Sequence, residues 1–183
     1  MHLKIENKVT LILTVFKKQH EFSKLAPFIS KFRILFIDVM NKKELRIKYK
    51  QLRNQLSENE IEEKSIAIAN ALIKLPIWDK TYFHIFLSIL EQKEIQTEFI
   101  LHLLAGKDKE IVISKTDFET ISLTHYLLTD NTTIRKNKFN IPEPVDGIEV
   151  TSSKIEVVFV PLLAFDKKGN LVKVKRFIGL YTA

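Results

Sequence analysis

Lys42 and Arg46 stand four residues apart in the run "NKKELRIKYKQLRNQL". On a helix that spacing puts both cations on one face, one turn apart. Two such charges can grip a polyphosphate, and the same pair also serves as an ordinary solvated basic face. Glu94, in "EQKEIQTEF", follows the apolar run "HIFLSI". Loops at the carboxyl ends of parallel strands are where α/β proteins bind ligands. A carboxylate there accepts paired N–H donors from a heterocycle; it equally reads as a surface glutamate beside Glu91 and Lys93. Lys115 ends the strand "IVIS" in the same way and offers a contact to a phosphate. Asp166, just beyond the most apolar strand and before "KKGN", suits a magnesium ligand or a β-turn.

Other residues carry weaker signals. In "KFNIPEPVDG", Pro142 and Pro144 bracket Glu143 and impose an extended backbone, and Gly147 then permits a turn. Such a segment walls a pocket or makes a plain surface turn. His84, His102 and His125 have no metal-ligand spacing and read as core or surface residues. There is no Walker pattern, no dinucleotide glycine fingerprint and no serine-nucleophile elbow. The chain has no cysteine, which excludes a disulfide framework and Cys-type zinc sites and is compatible with the cytosol.

The elements that must position these residues follow from periodicity. Leu45, Tyr49, Leu52 and Leu56 recur at helical spacing. Ser57 with Glu60 predicts a capping box, and the next helix carries Ile61, Ile66, Ala69 and Leu72 and ends before Pro76. "HIFLSI" reads as a buried strand. Thr97 caps a short helix, "EFILHLLA", with Gly106 at its end. "EIVIS", a weaker "ISLTHYLL" and a strong "IEVVFV" complete the strands. Strands alternating with helices predict a single three-layer α/β domain with a mainly parallel sheet flanked by helices. With 183 residues and 45% apolar composition, the chain can bury one real core.

The net charge of +7 invites a nucleic-acid partner, but its distribution does not. Residues 1–39 hold +4 and residues 171–183 hold +3, so the middle is neutral. Within the first segment the longest apolar stretch, Val9 to Phe16, is far shorter than the roughly 20 residues of a membrane span. "KKQHE" follows it instead of a small-residue cleavage site. Residues 1–39 therefore read as an N-terminal extension, with Met40 as the start of the domain.

The order "KKELR…LR…LS", "FLSI…KEIQTE", "VISK", "NIPEP" and "VPLLAFDKKGN" resembles the 5-formyltetrahydrofolate cyclo-ligase (methenyltetrahydrofolate synthetase) family, over residues 40–170. The resemblance implies an ATP- and magnesium-dependent conversion of 5-formyltetrahydrofolate to 5,10-methenyltetrahydrofolate, releasing ADP and phosphate. By matching position it implies that Lys42 and Arg46 hold ATP phosphates and that Leu87 and Glu94 contact the folate. Lys115 takes the family's basic position after its strand, Asp166 belongs to the loop that follows, and no side chain is assigned as a nucleophile or metal ligand. The expected protein is a cytoplasmic monomer without nucleic-acid or membrane partners. After "FDKKGN" the family continues with an Arg and a glycine-rich run that wraps the triphosphate. Here Leu171 and "VKVKRFIGLYTA" stand in its place. The resemblance thus implies an aberrant tail over 171–183, a sheet lacking its C-terminal part, and impaired phosphate binding. The alternative is a non-catalytic folate- or nucleotide-binding remnant. A Val- and Phe-rich strand is then left with an open edge, or with one that the terminal tails partly cover.

Overall fold

The computed structural model describes residues 12–17 and 42–163. Helix α1 spans Lys42–Asn54 and helix α2 spans Glu58–Ile73. The break between them is set by Ser57. Its hydroxyl accepts the Glu60 N–H at 3.2 Å, while the Glu60 carboxylate accepts the Ser57 N–H at 2.9 Å, which makes the predicted capping box. Ser57→Ala is expected to cost about 1 kcal/mol. A urea midpoint that does not fall, at unchanged m-value, would contradict this. Helix α2 buries Ile61, Ser65, Ile68, Ala69 and Leu72. Ile66, expected inside, is 37% exposed; the stripe through Ile61, Ser65, Ile68 and Leu72 takes the core instead, because the small Ser65 lets the loop approach. The Gln96 N–H donates to the Ser65 hydroxyl at 2.9 Å.

The main sheet contains β1 (Ile12–Lys17), β2 (Tyr82–His84), β3 (Glu110–Asp117), β4 (Ser122–Leu127) and β7 (Val157–Leu162), in the order β1-β7-β2-β3-β4. Its centre, β7-β2-β3, is parallel, and the outer strands β1 and β4 are antiparallel to their neighbours. Strands β5 (Ile134–Lys136) and β6 (Pro142–Pro144) form a separate antiparallel pair. Helix α3 (Glu98–Ala105) makes the crossover from β2 to β3 and packs on α2 and β3. The core forms between helices and sheet around Phe83, Phe159, Ile68, Leu72, Ile100 and Leu104. Phe83 lies between Trp78 and Phe159, with ring centroids 5.9 and 6.0 Å away. These ring pairs add to the burial that drives folding.

Two local expectations are revised. The strand "HIFLSI" pairs only as far as His84, and one further bond, Ile85 N–H to the Val112 carbonyl at 2.9 Å, precedes its departure from the sheet. Thr97 does not cap α3 through its side chain. Its hydroxyl bonds the Ser88 hydroxyl at 2.9 Å, so it staples the two ends of the intervening loop. Of the two outcomes left open for the edge of the Val- and Phe-rich strand, the structure shows the covered one. Residues Ile12–Lys17, outside the family resemblance, pair with β7 in the register Ile12↔Leu162 to Lys17↔Val157, and β2 takes its other side. Asp166, the tail 171–183 and the rest of 1–39 lie outside the described residues.

Candidate functional site

Where β2 leaves the sheet, at the carboxyl end of the parallel strands, the chain lines a cleft with a cavity volume of about 130 Å³. Its floor is apolar, including Ile85, Leu87, Ile113 and Phe159, and its few polar groups include Glu94, Glu143, His84 and Ser114. That composition, a concave apolar site with a few placed polar groups, is typical of small-molecule binding. It falls where the parallel-sheet rule places ligands.

Glu94 reaches the cleft from the loop between β2 and α3. A short 3-10 turn at Leu90–Gln92 reverses the chain, and Lys93 takes a left-handed backbone, φ 50°. The Lys93 ammonium then donates to the carbonyls of Asn54, at 2.9 Å, and Leu56, at the end of α1. These are carbonyls that a helix terminus leaves without partners. Glu94 is held at both oxygens. The Ile89 N–H donates to Oε2 at 3.1 Å, and Arg53 Nη1 lies 3.7 Å from Oε1. A carboxylate has about four acceptor positions, so capacity remains for a ligand. Burial pulls the Arg53 guanidinium below its ordinary value, and Glu94 partly restores it.

Arg53 is the residue sequence reasoning passed over. It stands seven positions after Arg46 on α1, so the two share one helical stripe, about 10 Å apart along the axis. Of the expected site residues, Leu87 and Glu94 meet on the cleft. Lys42 is the first residue of α1, and Arg46 is half-buried two turns before Arg53. Lys115 is exposed and donates to the Val145 carbonyl at 2.9 Å; its neighbours Ser114 and Thr116 line the cleft, as strand alternation requires.

His84 and His125, forty-one residues apart in sequence, come together across β2, β3 and β4. His84 Nε2 and His125 Nδ1 each lie 2.7 Å from the Ser114 hydroxyl, and the rings meet edge-on at 5.7 Å. A serine hydroxyl has one proton, so it donates to one ring and accepts from the other; the two tautomers are coupled. Burial pushes His84 down to about 3, with His125 adding to the shift, and burial lowers His125 as well. Both rings are therefore neutral near pH 7. No group of three His, Cys, Asp or Glu among the described residues could hold a metal ion. No described helix is long and apolar enough to cross a membrane.

The fold and the cleft define an α/β protein with a small, mostly apolar cavity at the carboxyl end of its parallel strands, bordered by a few placed polar groups. Residues 38–172 match the model of the 5-formyltetrahydrofolate cyclo-ligase family, and the chain belongs to that family. It is 28% identical to the mouse (Mus musculus) 5-formyltetrahydrofolate cyclo-ligase over 137 residues, covering 70% of this chain and 66% of the relative. It is 23% identical to the probable 5-formyltetrahydrofolate cyclo-ligase of Schizosaccharomyces pombe over 132 residues, covering 70% and 65%. The chain therefore spans about two thirds of the length of these curated relatives. The NMR structure of Aquifex aeolicus 5,10-methenyltetrahydrofolate synthetase is similar at a TM-score of 0.62 and 25% identity, covering 78% of this chain and 72% of that one.

Proposed function

We propose that this chain is a cytosolic, monomeric 5-formyltetrahydrofolate cyclo-ligase in descent and in its folate site. The activity is ATP-dependent closure of 5-formyltetrahydrofolate to 5,10-methenyltetrahydrofolate, with release of ADP and phosphate. The observation that carries this reading is the convergence of Leu87 and Glu94 on one cleft, with Glu94 tied through Arg53 to the helix that bears Lys42 and Arg46. In this reading Glu94 takes pterin N–H donors, Leu87 packs on the ring, and Lys42 and Arg46 face the ATP phosphates. Magnesium would enter with the nucleotide, and no described residue is assigned to it.

A second reading, a folate-binding chain with little turnover, rests on a specific feature of the sequence. Residues 171–183 contain one glycine, Gly179, where the family's phosphate loop is glycine-rich. Backbone N–H groups approach a triphosphate closely only where side chains are absent. The expected result is binding without efficient turnover. Saturating 5-formyltetrahydrofolate, at about 100 times Kd, should add about 2.7 kcal/mol and raise Tm by roughly 5–10 °C. ATP should add less, and ATP-dependent appearance of methenyltetrahydrofolate absorbance should be slow. Brisk turnover removes the second reading. Absence of any folate-induced shift removes both.

A further inference from the structure

Glu143 is buried, at 7% exposure, and it lines the same cleft as Glu94. Its position is rigid for local reasons. Pro142 and Pro144 restrict the backbone on both sides, and the β5–β6 ladder sets Arg135 opposite Glu143. The Thr116 N–H, from β3, donates to Glu143 Oε1 at 3.0 Å. That bond joins the small hairpin to the main sheet beside the cleft. Arg135 is exposed and makes no ion pair with Glu143, nor does any other described cation. A buried carboxylate normally gathers several donors or a cation, because burial without them is costly. Glu143 holds one backbone donor and keeps the rest of its acceptor capacity on the cleft side.

We propose that Glu143 is a second recognition carboxylate, which accepts a ring N–H of the reduced pterin while Glu94 holds the aminopyrimidine edge. This rests on the folate reading given above. The two carboxylates come from unrelated segments, the loop before α3 and strand β6, yet border one cavity of about 130 Å³. A single bicyclic head seated in that cavity borders both carboxylates. Both carboxylates therefore address the same ring system. With N5 formylated, the reduced ring has one N–H left, at N8. Glu143 thus makes the cleft selective for a reduced pterin that donates from N8.

The test is calorimetric titration of the full chain with 5-formyltetrahydrofolate and with its 8-deaza analogue, in which CH₂ replaces N8–H. Glu143→Gln keeps an oxygen for the Thr116 N–H and removes the charge. It should weaken 5-formyltetrahydrofolate binding by about 10- to 100-fold, the range of a charge-assisted hydrogen bond. The unaltered chain should disfavour the 8-deaza analogue by a similar factor, and Glu143→Gln should bind the two ligands alike. A structural defect would lower both affinities and keep their ratio, which overturns the proposal. So does unchanged affinity in both Glu143→Gln and Glu143→Leu. If the unaltered chain binds neither ligand, the folate reading falls and this one with it. If it binds both equally well, only the role of Glu143 falls.

Discussion

Glu94→Gln is expected to lower the affinity for 5-formyltetrahydrofolate by at least about 100-fold, since two charge-assisted hydrogen bonds to N–H donors weaken at once. The same change should destabilise the free protein. Arg53 and Glu94 each keep only 12% of their side chains exposed, and Arg53 Nε is already buried without a partner. Neutralising Glu94 leaves a desolvated guanidinium facing a neutral amide. The expected stability loss is about 2 kcal/mol, a little under that of removing one member of a fully buried pair. Arg53→Met removes the cation and its demand together, so the double variant should recover part of that loss. Glu94→Asp keeps the charge but withdraws the carboxylate, and should recover stability more than affinity. Wild-type folate affinity in Glu94→Gln would remove Glu94 from the site.

Acidification should begin to destabilise the protein well above the range in which carboxylates titrate, because His84 is buried neutral. Unfolded histidine protonates near 6.5, whereas His84 in the folded chain does so at about 3. The unfolded state therefore binds the extra proton between these values, and stability falls as pH falls. The contribution is complete above about pH 6.5 and is lost progressively toward pH 3, with a slope of about 1.4 kcal/mol per pH unit. Over the whole window that amounts to roughly 4–5 kcal/mol, a large share of a small domain's stability. His125, lowered by burial, acts with the same sign. Asp117 and Glu156, lowered with backbone N–H groups as donors, lose their contributions only at more acid pH, near or below about 4. The interval from pH 6.5 to pH 5 thus belongs to the histidines. Urea midpoints measured from pH 7 to pH 4.5 should fall steeply for the unaltered chain and less steeply for His84→Asn. Parallel curves would show that His84 is not buried neutral.

Much of the framework was legible because it is local. The capping box at Ser57 needs only Glu60 three residues on, and the end of α2 needs only Pro76. The strands "EIVIS" and "IEVVFV" are runs whose character does not depend on neighbours. Glu94 and Leu87 are nominated only by a resemblance of ordered motifs; the structure adds that both line one cleft. Ile66 and Thr97 were misjudged because two nearby residues competed for one role. The winner was chosen by the loop packed over Ser65 and Ser88.

What the residues determined alone was where helices and strands begin, which family's motif order they follow, and which charges stand at strand ends. Only the tertiary structure decided which charges meet. Arg53 pairs with Glu94, Glu143 turns inward beside Thr116, and His84 joins His125 through Ser114. Strand β1 likewise closes the edge of β7 from a segment that motif order assigned to no role. The physical reason is separation. Periodicity and capping act over a few residues, but the desolvation that makes a buried carboxylate or imidazole consequential arises only when distant segments close around it.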